Sequence, residues 1–485
     1  MCGALALAAA FPKINAAWLA PVGAAALFWT ATNASYKRAI LLGWFAGIVY
    51  FAVSFSWFAT TVGGYVGPFW PAVILLPAML EGLAFAAVAA SIRFAAPRVP
   101  AALLPFAGAC AFTVFEWGRS VGVLGAPFAQ LGYSQANSPL VVFAAYIGTY
   151  GITFVLCLLG FYAADALRRK TIVPMLTTYA TIAVALTLAW IFWPARHAPS
   201  PTIEVAAIQG NITQSLKWQP DSLQTAITRY TTLTQAAAQH HPKMILWPET
   251  VITTELNRDP SLLARFGALA RSTHATLVVG SLLANENGIY NALYIFDANG
   301  ALAATYAKRQ LVPYAESFPG SAFLSWLPYV GKLNGNFAHG HIDGVYDSGA
   351  LPFAPLICWE SAFSDLAHAQ IANGAQMLAV STDDAWFGTS AGPYAHAQIA
   401  QLRAVENGTW LLRAASTGIS GIIAPTGNYT ERSHLATQAV VTGLIGLPTG
   451  SPFARYGPTP VIVMLAFFYV VLVLAQRRQR ETTDG

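Results

Sequence analysis

Residues 202–249 read TIEVAAIQGNITQSLKWQPDSLQTAITRYTTLTQAAAQHHPKMILWPE, and the class of a large part of the chain follows from them. The two ends, TIEVAAIQG (202–210) and KMILWPE (243–249), are short apolar runs bounded by glycine, proline and charge, as buried strands are. Between them, SLQTAITRYTTLTQAAAQHH (222–241) mixes apolar and polar residues at helical spacing. Strand, helix, strand in that order predicts an α/β domain with a largely buried sheet. The same grammar continues through ATLVVGS (275–281), NALYIFD (291–297), APLICWE (354–360), AQMLAVST (375–382) and GISGIIAPTG (418–427), with a second helical pattern in YAHAQIAQLRAVENG (394–408). The domain is expected over 197–456.

On either side of that domain the composition changes. The chain has 485 residues, of which 10% are charged, against about 25% in an ordinary globular protein. Mean hydropathy is +0.50. Up to residue 200 the acids are Glu81, Glu116 and Asp165 alone. Apolar runs long enough to cross a bilayer fall near 15–34, 39–61, 69–92, 101–118, 140–166, 172–194 and 459–476, with a shorter one at 3–12. The 3–12 run has no basic residues before it and is followed at once by further apolar runs, so it reads as a first helix rather than a signal peptide. Lys37 with Arg38, Arg93 with Arg98, Arg168 to Lys170, and Arg477 to Arg480 lie at every second loop. The positive-inside rule then predicts eight spans, seven in 1–196 and the last in 457–485, with both ends cytoplasmic and the α/β domain outside, in the periplasm of a bacterium.

Composition excludes a disordered chain, a collagen-like chain and a simple cytosolic enzyme. The net charge of +5 is distributed for membrane topology rather than for nucleic acid. The four cysteines cannot make a disulfide framework, and no CxxC, HExxH, P-loop or strand-linked GxGxxG occurs. No metal and no cofactor is therefore expected. Cys2, Cys110 and Cys157 lie in apolar segments and are expected to be packing residues; Cys2 has no lipobox before it. Glu81, inside an expected span, is either functional or the partner of an arginine or a backbone group in the bundle. Glu116, Trp117 and Arg119 are expected at the outer interface, either as a charge pair with a tryptophan anchor or as the lining of a lipid headgroup path.

Three polar residues sit at the ends of strand-like runs, where an α/β domain places its chemistry: Glu249 closes KMILWPE, Lys308 follows ALAATYA (301–307), and Cys358 lies in APLICWE. A carboxylate can take the thiol proton and an ammonium can stabilise developing negative charge. A thiol with an ordinary pKa of about 8.5 needs such neighbours to become thiolate. Spacing alone does not bring the three together.

The words around them carry a resemblance. WPET (247–250), YAKRQLVPYAESFP (306–319), ICWES (357–361) and DDAWFG (383–388) resemble, in order, the blocks of the nitrilase superfamily, and QGNITQSLKW (209–218) adds to the match. With spans before the domain and one after it, the whole chain resembles the membrane-embedded branch, the apolipoprotein N-acyltransferase family. That resemblance implies an α-β-β-α sandwich with Glu249 as general base, Lys308 as oxyanion-stabilising lysine and Cys358 as nucleophile. Glu316 matches a second glutamate near the lysine, and Glu360 a further family position. Trp359 stands where tyrosine is common, and Asp383 where asparagine is expected, so a polar contact is in doubt at each.

The reaction implied is transfer of an sn-1 acyl chain from a phospholipid, phosphatidylethanolamine in particular, through a Cys358 thioester to the N-terminal amine of a diacylglyceryl-cysteine lipoprotein, by a monomer. The rivals are a membrane-anchored amidase of the same superfamily, and a transporter or receptor with an inactive domain. SFPGSAFLSWLPYVGK (317–332), with Phe318, Phe323, Trp326, Leu327 and Tyr329, is expected to be a lipid-contacting access segment rather than core.

Overall fold

Alternation along the strands explains the layers of the α/β unit. In β1 (Ile203–Gln209), Val205 and Ala207 face one core, while Ala206 and Ile208 face another. Both cores are dry, so nearly every strand residue is apolar. The computed structural model describes residues 1–59, 67, 70–122, 125–197, 199–313, 315–317, 337–341 and 344–481. It divides into a helical unit, Met1–Trp193 with Tyr456–Gly485, and an α/β unit, Pro194–Arg455.

The described residues of the α/β unit form two six-stranded sheets. In the first, β1 lies between β12 (Ala439–Ile445) and β2 (Met244–Leu246), followed by β3 (Thr276–Asn285), β4 (Gly288–Phe296) and β5 (Leu302–Ala307). In the second the order is β11 (Tyr429–Arg432), β10 (Gly421–Ile423), β9 (Trp410–Ala415), β8 (Met377–Thr382), β7 (Pro352–Ile357) and β6 (Tyr346–Asp347). Each sheet is parallel at its centre, β1-β2-β3 and β7-β8-β9, and antiparallel towards its edges. Met244, Leu246, Val278 and Leu293 of the first sheet share one core with Phe353, Ile357, Met377 and Leu412 of the second. On the outer faces, Tyr230 and Leu233 of the 222–238 helix and Phe266 of the 260–273 helix cover the first sheet. Ala367 of the 364–372 helix with Ala400 and Ala404 of the 392–407 helix cover the second. The result is the α-β-β-α sandwich.

β9, the 260–273 helix and the 364–372 helix were not distinguishable in the sequence. Arg413 interrupts the apolar run of β9, and that arginine is fully buried for a reason given below. Cys358 also departs from expectation: it is not a strand residue but opens the 3-10 turn Cys358–Ala362.

Among the described residues of the helical unit, four helical stretches are long and apolar enough to cross a membrane: Tyr36–Ser54, Trp70–Ala95, Pro139–Arg169 and Val173–Ile191. Cys2–Ala9, Leu19–Asn33 and Leu104–Gly118 are shorter helices, and Thr459–Leu474 is a shorter apolar one. Leu41, Phe45, Leu76, Leu80, Leu83, Val184 and Leu188 are exposed on this unit. A helical surface so apolar belongs in lipid. Inside, Glu81 pairs with Arg119 at 3.2 Å, with side-chain exposures of 12% and 7%. The Arg119 guanidinium also donates to the carbonyls of Ala126 and Phe128 and lies over the Phe51 ring. Glu116 is not in that ion pair: it is buried and accepts from Leu131 N–H at 2.7 Å and from the Thr153 hydroxyl at 2.5 Å. The expected Glu116–Arg119 pair is thus replaced by Glu81–Arg119, because a buried arginine takes the carboxylate its helix packing offers. Cys110 and Cys157 are buried as expected, whereas Cys2, the first residue of its helix, is exposed.

Candidate active site

Glu249 leaves β2 through Trp247, which is fully buried and whose N–H donates to Val278 O at 2.9 Å. The turn presses against β3 at Gly280, where a Cβ would collide with the carbonyl of Pro248, so glycine is required there. Lys308 follows β5, and its N–H donates to Asn291 O on β4 at 2.8 Å. Cys358 follows β7 with φ of +50°. A non-glycine residue in this left-handed region costs about 1–2 kcal/mol and persists only where its surroundings hold it.

Tertiary structure brings the expected residues together. Lys308 Nζ donates to Glu249 Oε1 at 2.8 Å and to Glu316 Oε1 at 2.9 Å. Lys308 is 1% exposed and Glu249 5%. Asn291, which the sequence reading passed over as one polar residue in a strand, lies between the two carboxylates. Its Nδ2 donates to Glu249 Oε1 at 2.6 Å and to Glu316 Oε1 at 3.0 Å, and its Oδ1 accepts from the Thr250 hydroxyl at 3.1 Å. Glu316 Oε2 accepts from Val312 N–H at 2.9 Å. Glu360 is buried and holds the chain beyond the lysine: it accepts from the N–H groups of Arg309 (2.6 Å), Gln310 (3.2 Å) and Ile357 (2.6 Å) and from the Tyr306 hydroxyl (3.0 Å). Trp359 is partly buried, with its ring 6.2 Å from that of Phe363. Phe318, Phe323, Trp326, Leu327 and Tyr329 lie outside the described residues.

The doubtful contact at Asp383 resolves into two. Its backbone N–H donates to Glu249 Oε2 at 2.8 Å, a bond any residue could make. Its side chain forms a buried ion pair with Lys217 at 2.5 Å and accepts from the Ser416 hydroxyl. Lys217 belongs to the 209–218 word, but nothing local marks it as the partner of a residue so distant in sequence.

Charge then sets the protonation states. Burial disfavours the Lys308 ammonium, yet Glu249 and Glu316 outweigh it and hold its pKa well above the ordinary lysine range. Burial pushes the Cys358 thiol well above the ordinary cysteine range, and Glu249 adds to this; Lys308 and a hydrogen bond with Thr382 act the other way without prevailing. Cys358 is therefore a thiol at rest, where the sequence had suggested neighbours that would make it a thiolate. Such a group needs its proton removed as the new bond forms, and Glu249 is an acceptor whose charge Cys358 feels strongly.

A family profile described as carbon-nitrogen hydrolase matches residues 204–455, and one described as the apolipoprotein N-acyltransferase N-terminal domain matches residues 3–162. The chain is 30% identical to the apolipoprotein N-acyltransferase of Photobacterium profundum over 500 residues, covering 98% of this chain and 94% of that one. It is 30% identical to the one from Geobacter metallireducens over 493 residues, with 98% and 94% covered. The one from Methylococcus capsulatus is also 30% identical, over 504 residues, with 100% and 97% covered. Among solved structures, an amidase from Nesterenkonia sp. is 19% identical with a TM-score of 0.41, covering 54% of this chain and 96% of that one.

Proposed function

The chain belongs to the apolipoprotein N-acyltransferase family, and from that premise we propose that Cys358 carries a two-step acyl transfer with Glu249 as general base and Lys308 as the oxyanion-stabilising cation. The protein is an acyltransferase acting on lipoproteins at a membrane. In the first step Glu249 takes the Cys358 proton as sulfur attacks the ester carbonyl of a phospholipid. The oxyanion develops beside the Lys308 ammonium; the C–O bond breaks and the leaving lysophospholipid oxygen takes the proton back from Glu249. In the second step the amine of a diacylglyceryl-cysteine attacks the thioester and loses its proton to Glu249. The amide forms, and the expelled sulfur is reprotonated by the same carboxyl group. Glu316 and Asn291 keep Lys308 and Glu249 in place through both steps. The observation that carries this reading is the single ammonium shared by Glu249 and Glu316 at 2.8–2.9 Å, next to a thiol that both Glu249 and Lys308 influence.

Intact-mass analysis of the purified protein mixed with phospholipid tests it. An acyl-sized adduct that hydroxylamine removes is expected. A protein that cleaves the ester but never retains or transfers the acyl group is a hydrolase instead, and the transfer step would be wrong. Phosphatidylethanolamine is the proposed donor, and vesicles of that lipid should acylate Cys358 faster than vesicles of phosphatidylglycerol. The monomer is the proposed state; a dimer mass in detergent would replace it.

The proposed topology has eight spans, both ends cytoplasmic, and the α/β unit in the periplasm of a bacterial inner membrane. The alternation of basic clusters supports it, and the four long apolar stretches among the described residues support the membrane character it builds on. Reporters at residues 170 and 480 should read cytoplasm and one at 260 periplasm; a periplasmic signal at 480 breaks the count. Phe318, Phe323, Trp326, Leu327 and Tyr329 keep their proposed role in lipid contact on sequence grounds. Trp326→Ala with Leu327→Ala should slow acylation by membrane phospholipid more than acylation by a small soluble ester, and equal slowing would remove that role.

A further inference from the structure

A second buried charge cluster reaches Cys358 through its backbone. Five elements converge to make it: Ser361 in the 358–362 turn, His396 on the 392–407 helix, Thr382 ending β8, Asp384 opening the 3-10 turn that follows it (384–387), and Arg413 on β9. His396 Nδ1 lies 2.9 Å from Asp384 Oδ1, which also accepts from the Thr382 hydroxyl at 2.9 Å. Arg413 Nη2 donates to Asp384 Oδ2 at 2.6 Å. On the other edge of the ring, His396 Nε2 lies 2.9 Å from Ser361 Oγ and 3.1 Å from the carbonyl oxygen of Cys358. Ser361 Oγ itself donates to that carbonyl at 2.8 Å. The Phe387 ring closes a face of the imidazole, edge-on at 6.0 Å.

Proton counting assigns the donors. A carbonyl oxygen only accepts, so the Ser361 proton goes to Cys358 O, and the nearby Nε2 is attractive there only when it too carries a proton. Burial alone would raise the Asp384 carboxyl, but Arg413 and His396 outweigh it and hold it low, so Asp384 is a carboxylate and Nδ1 donates to it. Nε2 is thereby turned to Ser361 and to the Cys358 carbonyl. The cluster is closed around this arrangement: His396, Asp384 and Arg413 are fully buried, and a Cβ at Gly418 would run into Asp384.

We propose that His396, anchored by Asp384 and acting with Ser361, is a positioning residue that clamps the Cys358 carbonyl and so holds the nucleophile in its left-handed conformation, with the thiol aimed between Glu249 and Lys308. The proposal rests on Cys358 being the nucleophile. His396 and Ser361 meet Cys358 at its carbonyl, while Thr382 of the same cluster hydrogen-bonds the thiol. Its work is to keep the φ of +50° at Cys358, which the residue would leave if the carbonyl were released.

The test is single-turnover acylation of the full-length protein in detergent by a p-nitrophenyl acyl ester, with KM and the unfolding temperature measured alongside. His396→Ala should slow acylation about a hundredfold, the scale of a misplacement near 1 Å, with KM unchanged. His396→Gln, which keeps an amide donor able to reach the same carbonyl, should recover about tenfold of that loss, although both variants lose thermal stability. Ser361→Ala should slow acylation about three- to tenfold. Cys358→Ala is the control: if it still forms the acyl adduct, the nucleophile reading fails and takes the clamp with it. If Cys358→Ala is inert while His396→Ala acylates within about threefold of wild type, the clamp alone is wrong. Equal losses in His396→Ala and His396→Gln would also overturn it, since a donor to the carbonyl would then not matter. Should His396→Ala fail to fold, Ser361→Ala decides, and a rate within about twofold of wild type overturns the proposal.

Discussion

Lys308 is a cation held between two carboxylates, Glu249 and Glu316; Asp384 is a carboxylate held between Arg413 and His396. The two clusters are opposite in sign and both meet Cys358, yet they are built differently. Around Asp384 every side chain is sealed at 0% exposure, while Glu316 keeps 13% and Cys358 remains partly open. The Lys308 cluster also sets two carboxylates against one ammonium, and Glu249 adds to burial in raising the thiol. Charge imbalance with partial access belongs to chemistry, and sealed charge belongs to geometry. The difference separates what reacts from what holds.

The strongest way to break that distinction is at the residue the clusters share. Cys358→Ala should abolish acyl transfer, a loss of about a thousandfold or more, while the protein remains folded and membrane-inserted; turnover near the wild-type level would show that neither cluster serves a nucleophile at 358. Cys358→Ser should fail as well, because the hydroxyl is much harder to deprotonate beside the same base.

Glu249→Gln attacks the imbalance itself. Acylation should fall about a hundredfold or more, because no acceptor remains for the thiol proton. The ionisation of Cys358 should move the opposite way. Glu249 raises the thiol pKa, so removing its charge lowers it, and the pH profile of iodoacetamide alkylation should shift towards lower pH. A slower enzyme with a more ionisable thiol would show that Glu249 acts as a base rather than as a thiolate stabiliser. A shift to higher pH would refute the electrostatic account.

Asn291→Ala should be milder. Lys308 keeps both carboxylates, but these lose the amide that spaces them. A loss of about tenfold in the acylation rate is expected, within the range for one mispositioned catalytic group, and no loss would mean that the ion pairs alone set the geometry.

Asp383→Asn should have the smallest effect on rate, within about threefold, because the bond to Glu249 comes from the backbone. Stability should pay instead: Lys217 would lose its charged partner in a buried setting, worth about 1–3 kcal/mol in chemical denaturation. A large rate loss with unchanged stability would place the Asp383 side chain in the reactive cluster.

The amino-acid sequence by itself determined the membrane character of the first 190 or so residues and the α/β class of the next stretch; it also marked Glu249, Lys308 and Cys358 at the ends of strand-like runs and, through the family resemblance, Glu316 and Glu360 as candidates. These were legible because run length, periodicity and short words are local properties of a chain. Asn291 looked like a strand residue with a polar side chain, His396 like one polar position on a helix, and Arg413 like a break in an apolar run. Their partners come from other elements of the fold: Asn291 meets Glu249, 42 residues away, Asp383 N–H meets that same carboxylate 134 residues away, and the arginine in β9 is buried because Asp384 is there to receive it. The same holds in the helical unit, where Arg119 is met by Glu81, 38 residues before it, rather than by Glu116 three residues before it. A buried charge is tolerated only beside its counter-charge. Which counter-charge stands there is settled by helices and sheets packing together, and only the tertiary structure decided it.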